Sequence, residues 1–294
     1  MADEAKRNHR DRELGDRVKK FEDVENDRAA PDGHPILVRL DGRAFHTFVQ
    51  GLQRPWDPGL RCLMQEAAMA CAMDSNALLV YTQSDEITLV LRPNQEGVYT
   101  AFFGGRLQKI ATILASRATA VFNAMLPRFL PSKVTERNLD LPVFDGRAWA
   151  VPTEQDACDV IAWRELDARV NSVSMVAQSY FEHKDLQFKG TLDMKEMLRG
   201  VGVEFNNIPI DLRRGVYFQR MEKRRKLTPA ELEDLPPKHN ARQNPDLEVV
   251  RYEWGLRDFQ PFVLIQNQPD VVFRGAEPIL PEPDVIAEEP DQHH

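Results

Sequence analysis

Ala77-Leu78-Leu79-Val80-Tyr81-Thr82-Gln83-Ser84-Asp85-Glu86-Ile87-Thr88-Leu89-Val90-Leu91 is two apolar runs separated by a short polar tip. The pattern predicts a β-hairpin, with strands over 77–81 and 87–91 and Ser84-Asp85-Glu86 at the turn. Upstream, Ile36-Leu37-Val38-Arg39-Leu40 predicts a short buried strand and runs into Asp41-Gly42-Arg43-Ala44-Phe45-His46. An aspartate closing one strand and an Asp-Glu pair at a hairpin tip can converge at one edge of a sheet. Carboxylates gathered there suit Mg²⁺, a hard cation that prefers oxygen ligands and usually also holds substrate phosphates. Phosphoryl chemistry at two metal ions is the first expectation.

Outside these strands the chain alternates helical and strand patterns. Residues 10–24 predict a charged helix. Asp57-Pro58 is a good helix start, because Asp accepts from free backbone N–H groups and Pro tolerates the first helical position. Leu60, Leu63, Met64, Ala67 and Cys71 then repeat at helical spacing. Gly104-Gly105 opens a long helix to about Asn123, a strand covers 144–151, and a further long helix follows Asp156 to about Phe181. Strand-like runs return at 249–254 and 262–265. The order predicts an α+β fold, a palm-like polymerase or cyclase sheet with helices packed on one face. The expected divisions are a catalytic domain over 1–220, a C-terminal extension over 221–274, and an acidic, disordered tail over 275–294.

Composition bounds the class. With 294 residues and 42% hydrophobic content the chain can bury a sizeable core. No apolar run approaches the ~20 residues of a membrane span. The charged start Met1–Arg7 lacks a signal-peptide hydrophobic stretch, and Cys62, Cys71 and Cys158 have neither zinc nor disulfide spacing. A reduced, cytoplasmic protein is expected. Net charge is −8, which argues against a polyanionic partner, but the charge is uneven. Residues 211–226 hold seven basic and two acidic side chains, whereas 275–294 hold six acids, four prolines and no Lys or Arg. The basic stretch reads equally as an RNA-facing patch or a solvated loop. Arg106 and Lys109 share one side of the helix after Gly104, where free N–H groups also favour anions. That side reads either as a phosphate site or as a face charged for solubility.

Taken together, these motifs resemble the tRNA-histidine guanylyltransferase family and its bacterial and archaeal relatives, the guanylyltransferase-like 3′–5′ polymerases. Arg39-Leu40-Asp41-Gly42-Arg43 with Phe45-His46 is similar to that family's first metal motif, and Gln83-Ser84-Asp85-Glu86 to its second. Arg106-x-x-Lys109 with Ala115-Ser116, Phe144-Asp145-Gly146-Arg147, Trp163-Arg164-x-x-Asp167, Asn206-Asn207 and Arg213-Arg214-Gly215 follow in the family's order, over about 14–220. The resemblance implies Asp41 and Asp85 as metal ligands with the Gly42 carbonyl as a third, Glu86 assisting, and two Mg²⁺ ions. It implies triphosphate contacts from Ser84, Arg106 and Lys109, and nucleotide contacts from Arg39, Arg43, Ala44, Phe45, His46 and Asp57. Capping its helix explains Asp57 almost as well. The second Asp-Gly-Arg-Ala, from Asp145, would be structural and away from the metals.

The implied reaction activates a 5′-monophosphate on tRNA with ATP. The 3′-hydroxyl of GTP or another nucleoside triphosphate then adds at that end. The eukaryotic His-Ile-Asn-Asn segment is absent; Asp167-Ala168-Arg169-Val170-Asn171-Ser172 stands there. With His183-Lys184-x-Leu186 and Leu14-Gly15-Asp16-Arg17, this resembles the bacterial type, which implies templated 5′-end repair, with guanylylation of histidine tRNA as the alternative. Arg169, Asn171, Arg213 and Arg214 would then face RNA, although Asp167, Arg169 and Asn171 read equally as a polar helix face. A tetramer is implied. Two rivals remain: a palm-domain nucleotide cyclase, whose Gly-Gly-acid-acid-Phe signature is missing at the hairpin, and an inert RNA-binding protein.

Overall fold

A computed structural model describes residues 2–26, 28–136, 140–244, 246–259 and 261–281, and within the first helix the side chains of 12–24. In chain order the principal elements are α1 (Ala2–Asn26), β1 (Ile36–Arg43), α2 (Pro58–Ser75), β2 (Leu79–Gln83), β3 (Glu86–Leu91), α3 (Leu107–Phe129), β4 (Val143–Ala150), α4 (Glu154–Ala177), α5 (Thr191–Gly200), β5 (Val216–Lys226), β6 (Glu248–Arg257) and α6 (Gln268–Arg274). The strands form one antiparallel sheet in the order β4-β1-β3-β2-β5-β6.

Alternation along the strands divides the core. Ile36, Val38 and Leu40 of β1, Val80 of β2, and Ile87 and Leu89 of β3 pack with α2 and α3. Leu37, Leu79, Tyr81 and Val90 point the other way, onto α4, α6 and a 3₁₀ turn over Phe262–Leu264. The α+β palm-like sheet is as expected, but helices cover both of its faces where one was expected. The physical reason lies in β1 and β3, whose nearly unbroken apolar runs leave both sides needing cover. The same turn corrects the strand expected at 262–265.

α2 begins as its sequence indicates: the Asp57 carboxylate accepts from the N–H groups of Gly59 at 2.8 Å and Leu60 at 3.1 Å. α4 starts slightly ahead of expectation because Thr153 and Asp156 form a reciprocal capping box. α3 lies close against β4 at Gly146, where an added Cβ would stand 2.7 Å from the Ala111 carbonyl oxygen. By length and composition alone α3 is long and apolar enough to cross a membrane, but its apolar side, Ile110, Leu114, Ala118, Phe122 and Leu126, is in the core.

The expected boundary at 220 falls inside β5. Residues 216–219 pair with β2, residues 217–226 pair with β6, and α6 covers the second face. The segment 221–274 thus completes the sheet. The start of the acidic tail is held too: Ile279 donates its N–H to Asn267 Oδ1 at 2.8 Å, and Glu277 pairs with Arg257 at 3.2 Å. Residues 282–294 of that tail lie outside the described residues.

Candidate active site

The two acidic motifs meet at one corner of the sheet. Gln83 pairs with Glu86, so Ser84-Asp85 is a two-residue turn, and Ser84 adopts the left-handed φ of +54° that such turns favour. Gly42 donates its N–H to the Asp85 carbonyl oxygen at 3.0 Å, tying the end of β1 to the hairpin tip. Asp41 lies directly opposite Glu86 on β3 and, on its other side, opposite Asp145 on β4. Residues paired in this way project to the same face, so three carboxylates stand in a row. Asp145, expected away from the acidic corner, therefore pairs directly with Asp41, although it does not line the cleft.

Burial pushes the Asp85 carboxyl above its ordinary range, and the neighbouring Asp41 and Glu86 charges add to the effect; its own backbone N–H and the Ser84 hydroxyl oppose it. A divalent cation would relieve this repulsion. Among the described residues no three His, Cys, Asp or Glu side chains converge well enough to hold a metal alone. Two carboxylates flanking the Gly42 peptide offer hard oxygen donors only. That fits Mg²⁺, which is commonly bound through one or two carboxylates plus water and substrate phosphate.

Two guanidiniums brace the corner. Arg39 NH2 lies 3.0 Å from Asp41 Oδ2 and 2.7 Å from Glu86 Oε2, and its buried Nε has no protein partner. Arg164 of α4 forks onto Glu86, with Nε 2.6 Å from Oε1, and also reaches Asp167 at 3.1 Å. The cleft here, about 380 Å³, is walled by these residues and by Asn171 and Met175. Positions 164, 167, 171 and 175 follow helical spacing, so one face of α4 closes the site. Trp163-Arg164-x-x-Asp167 is part of the family resemblance, but its spacing alone gives Arg164 no role. Sequence spacing marks the face but cannot orient it.

A second, more apolar pocket of about 310 Å³ adjoins the first at Gln83, Ser84 and Met175. His46 and Asp57 line it with Val49, Leu52, Leu60 and Met64. Asp57 therefore caps α2 and borders the pocket at once. Ala44, at φ +55°, opens the one-turn helix Phe45–Phe48. The Phe45 ring, expected at the nucleotide, is instead in the core, 5.4 Å from the rings of both Phe122 and Phe144. Arg43 is exposed at the end of β1.

Other expected site residues are not brought here. Arg106 bridges Ala29, Gly105 accepts from the Ala30 N–H, and Leu107 donates to the Arg28 carbonyl. These contacts lie before β1 begins, whereas Asp41 lies near its end. Neither Arg106 nor Lys109 lines the carboxylate cleft or the pocket beside it. Lys109 sits 4.8 Å over the Phe103 ring. Arg214, expected at RNA, is buried and donates to Glu165 at 2.7 Å; Arg169 is buried as well. Arg213 is half-buried, donating to the Ile208 carbonyl and lying over Phe205, while Asn171 is exposed at the cleft. The basic stretch is largely matched by neighbours: Lys223 with Glu253, Arg224 with Glu222, Arg225 with Glu231, and Lys226 with Asp246. The β5–β6 pairing supplies Glu253, whereas Glu222 and Glu231 are near neighbours in sequence and Asp246 lies just before β6.

Comparison with known proteins agrees with this arrangement. The family described as tRNAHis guanylyltransferase matches residues 15–152. A probable tRNA(His) guanylyltransferase of Drosophila melanogaster is 30% identical over 220 residues, 69% of this chain and 72% of that one. The Eremothecium gossypii tRNA(His) guanylyltransferase is 28% identical over 200 residues, 63% of this chain and 82% of that one. A solved bacterial tRNA(His) guanylyltransferase-like protein in complex with ATP has a TM-score of 0.64 and 35% identity, covering 70% of this chain and 86% of that chain. One in complex with GTP has a TM-score of 0.62 and 28% identity, covering 83% and 90%.

Proposed function

We propose, for a chain that belongs to the tRNAHis guanylyltransferase family of nucleotidyltransferases, that it extends the 5′ end of tRNA in the 3′–5′ direction under the direction of a template. In the first step an oxygen of the RNA 5′-monophosphate attacks the α-phosphorus of ATP, and pyrophosphate leaves. In the second, the 3′-hydroxyl of an incoming nucleoside triphosphate attacks the RNA 5′-phosphorus; AMP leaves and the hydroxyl proton passes to solvent.

The observation that carries this reading is the junction at Gln83-Ser84, where the carboxylate corner opens into the apolar pocket. A nucleobase suits that pocket, with Val49, Leu52, Leu60 and Met64 against its faces and His46 and Asp57 at polar edges. Its phosphates would then lie toward Ser84 and the Arg39 guanidinium, whose buried Nε–H lacks an acceptor. Asp41, Asp85 and the Gly42 carbonyl would hold Mg²⁺. When bound, the ions supply charge neutralisation at the phosphates and a lowered pKa at the attacking oxygen. The residues themselves act by orienting the reacting groups, the main contribution a protein makes to phosphoryl transfer. Asn171 and Asp167, on the α4 face across the cleft, are the groups available to the RNA end. Assembly as a tetramer, which rests on the family alone, and a cytoplasmic location, which rests on cysteine usage, belong to the same proposal.

The test is extension of a 5′-labelled truncated tRNA and an intact histidine tRNA, with Mg²⁺, ATP and each nucleotide in turn. Growth of the truncated RNA only with the nucleotide complementary to the opposing base supports templated repair. Addition of guanosine alone, confined to histidine tRNA, overturns templated repair in favour of guanylylation. No growth, with nucleotide converted to a cyclic product, overturns both.

A further inference from the structure

Glu86 differs from the other carboxylates of the corner in having its oxygens already engaged. Arg164 Nε donates to Oε1 at 2.6 Å, Thr88 Oγ1 donates to the same oxygen at 3.3 Å, and Arg164 NH2 donates to Oε2. Arg39 NH2 stands 2.7 Å from Oε2. A carboxylate has about four acceptor positions, and here each faces a donor or a guanidinium. The pair is also shielded, with the Glu86 side chain 12% exposed and that of Arg164 16%, against 33% for Asp41. Charges alternate along a line from Asp41 through Arg39, Glu86 and Arg164 to Asp167.

We propose that Arg164 and Glu86 form a positioning clamp: Glu86 serves as a bracket between two guanidiniums and leaves metal binding to its neighbours Asp41 and Asp85. The inference rests on the reading of this corner as a nucleotidyl-transfer site. Arg164 saturates Glu86 through a planar fork, which a carboxylate matches and an ammonium does not. Glu86 then holds only part of Arg39, whose same nitrogen also bridges to Asp41. Because Glu86 follows Asp85 in the chain, the clamp also fixes the hairpin tip to α4. Without Arg164, Glu86 draws Arg39 away from Asp41 and the tip loses its anchor. The corner then has one more unit of negative charge but a looser geometry.

These consequences separate a positioning role from a merely structural one, because metal binding and turnover move in opposite directions. Arg164→Gln should bind Mn²⁺ at least threefold more tightly, measured by titration without RNA. Its kcat for adenylylation should fall tenfold or more, with KM for ATP within threefold. Arg164→Lys restores the charge without the fork, so Mn²⁺ affinity should return to wild type while kcat stays low. Glu86→Gln should match the kcat loss of Arg164→Gln. The double variant should be no more than twofold slower than the slower single variant, since both break one unit. Multiplied losses in the double variant, kcat within twofold of wild type in Arg164→Gln, or weakened Mn²⁺ binding would each overturn the clamp. If Arg164→Gln fails to fold, Arg164→Lys decides, and wild-type kcat there refutes the fork. A wild-type chain inert on every RNA refutes the functional reading alone, because the Mn²⁺ titrations still decide the clamp.

Discussion

Asp57 has two roles that one pair of substitutions separates. Its Oδ1 caps α2 at Gly59 and Leu60, its Oδ2 accepts from the Gln53 N–H at 3.1 Å, and the same side chain borders the apolar pocket. Asp57→Ala should lower stability by about 1 kcal/mol, the ordinary worth of an N-cap, whereas Asp57→Asn keeps an accepting oxygen and should cost under about 0.5 kcal/mol. Both should raise KM for ATP severalfold if the carboxylate charge meets the nucleotide. A wild-type KM in Asp57→Asn would leave the residue as a cap only. Asp41 and Asp85 call for the opposite pattern. Burial and like charge disfavour ionised Asp85 in the free protein, so truncating it removes a destabilising charge. Asp85→Ala should therefore melt no lower than wild type, and in both Asp85→Ala and Asp41→Ala nucleotide addition should fall below detection. Turnover surviving in either purified variant would remove these residues from the metal site. The two buried thiols need no part in this chemistry: burial pushes Cys71 and Cys158 each up to about 12, well above neutrality.

The hairpin, the cap of α2 and the strand leading into Asp41 were legible from sequence because each depends on neighbours within a few residues. Period-two alternation places Leu79 and Tyr81 together, and an Asp-Pro pair reports its own cap. Helix direction and rotation are different matters. Arg106 and Lys109 stand at the right spacing for phosphate, but α3 starts beside Ala30 and neither side chain lines the cleft. Arg169 and Asn171 are two residues apart on α4, about 200° around the helix at 3.6 residues per turn. That rotation buries the first and leaves the second at the cleft. Nothing local sets it, because α4 has apolar contacts to both α5 and α6 and lacks a single clean stripe. Gly146 shows how such placements are enforced. A Cβ there would meet Ala111 O at 2.7 Å and Ala115 Cβ at 3.2 Å, so only glycine lets α3 lie this close to β4. Gly146→Ala should push α3 off the sheet and cost about 1–3 kcal/mol, as overpacking does. Chemical denaturation measures this, and a change under about 0.5 kcal/mol would mean that the helix yields freely.

At the scale of the molecule, the acidic corner and the C-terminal third depend on one buried group. Glu165 accepts from Arg214 at 2.7 Å, from the Tyr217 hydroxyl at 2.6 Å and from the Phe262 N–H at 3.0 Å, while Tyr81 donates to the Arg214 carbonyl at 2.8 Å. One carboxylate thus joins α4, β5 and the turn beneath α6, and Arg214 leads into Gly215 and Val216 on the pocket wall. Arg214, expected to bind RNA, has a place in this hub that leaves it no surface. Removing one partner of a buried pair strands the other's charge, typically at a cost of about 3–5 kcal/mol. Glu165→Gln keeps the shape and one accepting oxygen but loses that charge, so it should fall near the lower end of this range. For a chain of this size each kcal/mol moves the melting midpoint by about 2–4 °C, giving a drop of roughly 6–12 °C. The pocket should register the change as well. ATP at a hundred times its Kd should stabilise the wild type by about 2.7 kcal/mol. The same ATP concentration should stabilise Glu165→Gln less, because the wall that includes Gly215 and Val216 is no longer held. Thermal melts of both proteins with and without ATP give the answer. An equal ATP shift in the two would show that the hub supports the fold without shaping the pocket.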